Sequence, residues 1–343
     1  MFIVHNPKNY YLFPNIFHLV FLTLILFLIL FFLVLLPINF PRGFTNLGQS
    51  CYVSCILQAF FNLPQFVSYF LSDLHPSSHC PLSKDPCILC EIDTLIQAKF
   101  SPLGDLSAPI IPSSFLFSSW TFIPSLAGHA QQDAHEYFVQ LINVVHELIV
   151  GNCHVFESCS CFIHQLFNGR LNSKIYCSKC GQEVSSNFEP FCDLSLSLPV
   201  SSTPINLFDC FLNFFSSTVI SSDSSLTCSS CRNNQLFVKR DSISVLPQVL
   251  VLQILRFSFN KNGSVAKNQS NLIVSNDLSC DGTMYKLSSV VCHRGSDVNT
   301  GHYVTFFRQG NDWFLSNDDC VSVVDFDSIH SEHSYLLFYN KIS

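Results

Sequence analysis

Charge is scarce in this chain. Only 12% of its 343 residues are Asp, Glu, Lys or Arg, against 48% that are hydrophobic. That balance excludes intrinsic disorder, which needs a sequence poor in apolar and rich in charged residues. Basic residues are scarcer still: 17 Lys and Arg face 24 Asp and Glu, a net charge of −7. A surface that grips nucleic acid by neutralising phosphates needs clustered cations, so direct nucleic-acid binding is not expected. No repeat of fixed period and no long low-complexity tract is present. The first 41 residues lack acids altogether and hold one base, Lys8, so residues 42–343 carry 16 bases and 24 acids, a net of −8.

Apolar residues are what the chain has in excess. Mean hydropathy is +0.33 and 35 residues are Phe, enough material for one large core or two ordinary ones. Part of this excess is local. Leu19 to Leu36 is an 18-residue run in which only Thr23 is not apolar. At about 1.5 Å per residue it covers roughly 27 Å, close to a bilayer core of about 30 Å. Tyr10 and Tyr11 lie where an interfacial belt would sit. A cleavable secretory leader fits poorly: it needs a basic start, a shorter core and small residues at its end, where this chain has Pro37-Ile38-Asn39-Phe40. The pattern predicts residues 1–41 as a segment with a single transmembrane helix over about 17–38. A membrane-anchored domain over 42–343 follows. Lys8 and Arg42 on the two flanks barely specify its orientation; the side expected is the cytosol, as the resemblance given below requires.

Within that domain, helices precede strands. Ser50 is placed to cap a helix from Cys51, with Ile56, Leu57 and Phe60 on its apolar face and Pro64 ending it. Gln131 to Val150 carries the 3.6-residue period at Ala134, Phe138, Leu141, Ile142, Val145, Leu148 and Ile149. Beyond residue 160 come short alternating or β-branched runs at Leu194–Leu198, Val249–Ile254 and Tyr303–Phe307. The Ser-rich stretch Ser216–Ser230 reads as an exposed hairpin tip or loop. Helices first and strands afterwards indicate an α+β fold.

Seventeen cysteines, an odd number without a convincing leader, point to reduced thiols, metal ligands and a nucleophile rather than a disulfide framework. Cys177-Ser-Lys-Cys180 and Cys228-Ser-Ser-Cys231 are two CxxC knuckles separated by 47 residues. Each grips one edge of a Zn²⁺ tetrahedron, and two close it, provided the intervening strands fold back. His75, Cys80, Cys87 and Cys90 form a second candidate set, with His79 as an alternative to His75. Cys153, His154, Cys159 and Cys161 form a weaker third. The nucleophile candidate is Cys51 in Gly43-Phe-Thr-Asn-Leu-Gly-Gln-Ser-Cys51, where glycines allow a tight turn into a helix N-terminus. The base candidate is His302 in Gly301-His302-Tyr303, with an orienting partner among Asn317, Asp318 and Asp319. A nucleophile near the start, with His and Asn or Asp far downstream, is the order of thiol proteases.

Read in order, these residues strongly resemble the ubiquitin-specific proteases. The Cys box is Gly43–Gln58, the internal Gln-Gln-Asp-Ala-His-Glu-Tyr-Phe signature is residues 131–138, and a strand motif surrounds Leu252–Phe257. The His box runs Gly301–Phe306, and Tyr335–Tyr339 closes the domain. The segments Phe70–His75 and Cys87–Glu91 are most similar to the branch of histone H2B deubiquitinases of the SAGA co-activator complex. The resemblance implies a papain-like fold of thumb, palm and zinc-ribbon fingers, structural Zn²⁺, and hydrolysis after the C-terminal glycine of ubiquitin through a thioester. Cys51 is implied as nucleophile, His302 as general base and Asn46 as oxyanion donor. Asn317 is implied as third member, with Asp318 its rival. Implied partners are ubiquitin and ubiquitinated proteins, histone H2B among them, and activating subunits. Without an anchor, the implied location is the nucleus. The alternative function is an inactive ubiquitin-binding scaffold. Asp133 and His135 read as packing and substrate-loop support, and Cys55 as a core thiol.

Overall fold

The structure is a computed structural model. It describes residues 41–343 except 73–74, 76–79, 81–86, 102–106, 152–158, 221–225, 232–235, 260–264, 297–299 and 343. Seven α-helices among the described residues come first or stand between strands: α1 Cys51–Phe60, α2 Pro64–Leu71, α3 Ile88–Phe100, α4 Ser113–Phe122, α5 Ala134–Val150, α6 Phe162–Phe167 and α7 Leu207–Phe214. The principal strands are β1 Gly169–Cys177, β2 Glu183–Phe191, β3 Leu194–Ser197, β4 Thr218–Ile220, β5 Phe237–Val245 and β6 Val249–Leu255. They continue as β7 Asp277–Cys280, β8 Thr283–Arg294, β9 His302–Gln309, β10 Asp312–Asn317, β11 Cys320–Val324 and β12 Ser334–Lys341. Residues 42–343 form one compact unit.

Two sheets organise it. An eight-stranded sheet runs β11-β10-β9-β8-β12-β6-β3, with β7 added at β8. A four-stranded ribbon runs β2-β1-β5-β4. The expected helix-then-strand order is observed, as helical lobe, central sheet and projecting ribbon. Strand β4 lies inside the Ser-rich stretch expected to be loop, because Thr218-Val-Ile220 is β-branched and pairs antiparallel with β5.

Helix α1 is buried on every side, all ten residues of it. It therefore sits between layers rather than on a surface, and an amphipathic stripe understates its environment. Pro64 does more than stop α1: it opens α2 at a first-turn position, where its missing N–H costs nothing. Helix α5 starts at Ala134 rather than Gln131. Asp133 is its N-cap, accepting from the backbone N–H of His135 at 2.7 Å and of Glu136 at 3.0 Å, which leaves Gln131 and Gln132 ahead of the helix. Gly151, at φ 67°, ends it.

Phenylalanine concentrates where these layers meet. The Phe60 ring on α1 lies 4.8 Å from that of Phe66 on α2, 5.9 Å from Phe138 on α5, 5.6 Å from Phe167 on α6 and 6.4 Å from Phe338 on β12. One side chain thus joins four helices to the sheet.

The membrane-anchored location is corrected. No helix among the described residues is long and apolar enough to cross a membrane. The longest, α5, has 17 residues and uses one face for the core, burying Tyr137, Phe138, Leu141 and Ile142 while exposing Glu136 and Glu147. The span expected over residues 17–38 lies outside the described residues.

Truncation of the shared ring should be felt through the whole lobe. Phe60→Ala is expected to lower stability by about 3–5 kcal/mol, read as a shift of the urea midpoint without loss of the single transition.

Candidate active site

Cys51 is positioned by a loop that cannot move independently of the opposite wall of the cleft. Phe44 donates its N–H to the Asp318 carbonyl at 2.9 Å, and Gly43 and Thr45 bond the backbone of Ile110 on the other side. A Cβ at Gly43 would stand 2.3 Å from the Asp318 carbonyl oxygen, so only glycine fits there. The chain then turns through Gly48 at φ 97° and Gln49 at φ 57°. The second is a non-glycine residue in the left-handed region, at a cost of about 1–2 kcal/mol. Asn46 holds this turn: its Oδ1 accepts from the N–H of Gly48 at 3.0 Å, the N–H of Ser50 at 3.1 Å and the Ser50 hydroxyl at 3.2 Å. Ser50 occupies the N-cap position but does not cap α1 with its side chain. Its hydroxyl instead accepts from Leu47 N–H at 2.9 Å, so it braces the loop.

His302 opens β9, and Asn317 ends the neighbouring β10. Asn317 Oδ1 lies 2.6 Å from His302 Nε2 and accepts a hydrogen bond from it. Asp318 follows in the tight turn to β11 at φ 51°, and its Oδ2 stands 3.7 Å from the same nitrogen. The two downstream candidates therefore divide the contact, Asn317 by hydrogen bond and Asp318 by charge. The Asp318 Oδ2 also accepts from Asn46 Nδ2 at 2.9 Å, which links the nucleophile loop to the histidine wall. Burial raises the Asp318 carboxyl above the usual range, against the opposing pull of Asn46 and His302.

A hydrogen bond to Cys51 is the largest influence on His302. Nε2 faces Asn317, so Nδ1 is the nitrogen left for the thiol. That bond, with smaller contributions from Asn317 and the Asp318 charge, overcomes burial and lifts the imidazole to about 9. Cys55, one turn along α1, lies wholly inside the core, where burial and the Cys51 charge hold its thiol well up and protonated.

Asp133 and His135 stand beside the cleft rather than in the Cys51–His302 line. Besides capping α5, Asp133 accepts the Tyr335 hydroxyl at 2.6 Å, tying the helix to β12. His135 pairs with Asp193 at 3.0 Å.

Three donor clusters stand apart from this cleft. The Cys177, Cys180, Cys228 and Cys231 thiols lie within 4.8 Å of one another, with Cys180–Cys228 at 3.6 Å and Cys177–Cys231 at 4.0 Å. His75, Cys80, Cys87 and Cys90 meet the same limit, with His75 Nε2 at 3.5 Å from Cys87 and 3.4 Å from Cys90. A tetrahedral ion with about 2.3 Å to sulfur and about 2.0 Å to nitrogen sets neighbouring donors roughly 3.5–3.8 Å apart. Both sets fit, and His79 lies outside the described residues. The third cluster differs from expectation. Cys159 and Cys161 meet His146 of α5 and His164 of α6, with His146 Nδ1 3.2 Å from Cys161 Sγ. Cys153 and His154 lie outside the described residues. The Cys161-x-x-His164 spacing was the signal available in the sequence; His146, on a different helix, had none.

The histidine state is directly measurable. In an NMR titration the His302 ring should lose its proton near 9, above the ordinary 6.5, and Cys51→Ala should move that step to lower pH by removing the largest cause of the shift.

Comparison with known proteins agrees with this geometry. A family model described as "Ubiquitin carboxyl-terminal hydrolase" matches residues 42–339. Ubiquitin carboxyl-terminal hydrolase 8 of Saccharomyces cerevisiae is 30% identical over 334 residues, covering 87% of this chain and 70% of that protein. Human ubiquitin carboxyl-terminal hydrolase 22 is 31% identical over 355 residues, covering 88% of this chain and 66% of that one. The chain thus spans about two thirds of the length of these curated relatives. Among solved structures, the SAGA Ubp8/Sgf11/Sus1/Sgf73 DUB module bound to ubiquitin aldehyde aligns with a TM-score of 0.79 at 30% identity, covering 88% of this chain and 70% of that one. The same module bound to monoubiquitin aligns with a TM-score of 0.77 at 30% identity, covering 88% and 69%. With helical lobe, central sheet, ribbon and cleft in the papain-like arrangement of those structures, and the match running from Arg42 to Tyr339, the chain belongs to the ubiquitin carboxyl-terminal hydrolase family.

Proposed function

We propose that residues 42–343 are the catalytic domain of a thiol-dependent deubiquitinase that cuts the bond after the C-terminal glycine of ubiquitin. The observation that carries this reading is the bond from His302 Nε2 to Asn317 Oδ1 at 2.6 Å, with Cys51 as the largest influence on the same imidazole. In this reading the Cys51 thiolate attacks the glycine carbonyl, and the His302 imidazolium passes its proton to the departing lysine amine. The acyl group rests on Cys51 as a thioester. Neutral His302 then takes a proton from water, the resulting hydroxide attacks the thioester, and Cys51 leaves as thiolate.

Asn317 holds the ring in the required tautomer, and Asp318 supplies the negative charge that an amide lacks. Asn46 spends one Nδ2 hydrogen on Asp318 and keeps a second. That second hydrogen, with the backbone N–H at the start of α1, stabilises the tetrahedral oxyanion. We assign Zn²⁺ to the three Cys and His clusters as a structural ion that cross-links chain segments away from the cleft. Cys177, Cys180, Cys228 and Cys231 would hold it at the ribbon tip; His75, Cys80, Cys87 and Cys90 would hold it in the helical lobe, and so would His146, Cys159, Cys161 and His164. The likeness to modules that carry Sgf11, Sus1 and Sgf73 and are bound to ubiquitin supports ubiquitin as ligand and further subunits as partners.

Hydrolysis of a ubiquitin–fluorophore conjugate tests the reading. Cys51→Ala should abolish turnover while leaving ubiquitin binding, and Asn46→Ala should lower kcat by about 10²–10³-fold. The proton that His302 must donate is present below its raised value and lost above it, so the rate should fall as pH rises through about 9. Ubiquitin binding by folded, metal-loaded protein without turnover would favour the scaffold instead. Chelation should lower the thermal midpoint and release Zn²⁺, as read by metal analysis.

A further inference from the structure

The two halves of the cleft are joined by a side chain to which the family motif assigns no chemistry. Gln131 lies two residues ahead of the Asp133 cap, outside any helix or strand, and bonds both the nucleophile loop and the start of β9. Its Nε2 donates to Gln49 Oε1 at 2.8 Å and to the Gly301 carbonyl at 2.5 Å. Its Oε1 accepts the Gly301 N–H at 2.7 Å. Both amide hydrogens and a carbonyl lone pair are therefore engaged. The two bonds to Gly301 are reciprocal, as in a single β-bridge, so they fix the orientation of the peptide that leads into His302. The third bond reaches the residue two before Cys51.

Gly301 has no freedom on its other side. A Cβ there would stand 2.1 Å from His293 Nε2, and His293 is 2% exposed. Lys267 Nζ secures that support by donating to the His293 carbonyl at 2.8 Å, His293 Nδ1 at 3.0 Å and the Gly295 carbonyl at 2.7 Å. Gly301 is thus pressed between a fixed imidazole and the Gln131 amide. Gln131 is fixed in turn, because Asp133 is bonded both to the α5 backbone and to Tyr335.

We infer that Gln131 is a positioning residue that sets the spacing of Cys51 and His302 by clasping Gln49 and Gly301 across the cleft. This rests on the deubiquitinase reading only for its kinetic consequence; the clasp itself concerns the thiol–imidazole pair. Reacting groups must be held within a fraction of an ångström, and misplacement by about 1 Å costs on the order of 10²-fold in rate. Gln131→Met keeps the length of the side chain and removes all three hydrogen bonds. Gln131→Glu keeps the acceptor, loses both donors and sets a carboxylate against two carbonyl oxygens.

Both variants should lower kcat on a ubiquitin–fluorophore conjugate by about 10²-fold with KM changed by less than about 3-fold. Alkylation of Cys51 by iodoacetamide at pH 7, followed on its own peptide by mass spectrometry, should slow in parallel. Gln49→Ala should add almost nothing to Gln131→Met, because their contact is removed by either change. Unchanged kcat and alkylation in either folded variant would overturn the clasp, as would full additivity of the pair. If one variant fails to fold, the other carries the test. If the wild-type protein cleaves no ubiquitin, the enzyme reading fails, and the alkylation rates alone decide the clasp.

Discussion

The packing of α1 onto β9 is the contact on which the cleft depends. It brings Cys51, the first residue of one element, beside His302, the first residue of the other. The Thr305 hydroxyl on β9 donates to the Cys55 carbonyl on α1 at 3.2 Å, between positions 250 apart in sequence. Closing a loop of that length costs about 5 kcal/mol more than closing one of a single residue. Fully burying a Val, Leu, Ile or Phe side chain returns about 1.5–3 kcal/mol, and α1 buries Val53, Ile56, Leu57 and Phe60. The apolar excess of the sequence is thus what allows a catalytic pair to be assembled from distant segments.

Scarce charge shapes the rest. Two cations inside the domain act as cross-ties on backbone carbonyls, whereas Arg294 pairs with Glu332. Arg256, 1% exposed, donates to the carbonyls of Ser334, Asn268 and Ser270, and Lys267 does the same at His293 and Gly295. Three of these carbonyls, at Asn268, Ser270 and Gly295, lie in loops, where no strand partner would satisfy them. At the periphery the cores thin, and among the described residues of the ribbon tip only the hydrophobic side chains of Cys177, Cys228 and Phe237 are fully buried. There thiol clusters replace apolar packing, as small cores require.

Much of this was legible in the sequence because its signals are local. Cys51, His302 and the paired knuckles sit in short motifs whose spacing carries the chemistry, and α5 announced itself through its period, though not its Asp133 cap. What was not legible joins distant segments. His146 enters a cluster with Cys159, Cys161 and His164 only because α5 packs on α6. Ser50 looked like a cap, but the left-handed turn at Gln49 turns its hydroxyl to Leu47 instead. Asn317 and Asp318 competed in the sequence for one role, whereas the hairpin turn gives each its own contact with His302. Strand β4 was hidden by the serines around it. The apolar run over residues 17–38 led to an expected membrane location that no described helix supports.

The most direct test of the account is reaction of the full chain, folded and metal-loaded, with ubiquitin bearing a C-terminal electrophile, followed by peptide mapping. The account predicts a single adduct of one ubiquitin at Cys51, formed in preference to reaction at the exposed Cys180 and Cys320. No adduct, or one at another cysteine, would contradict it.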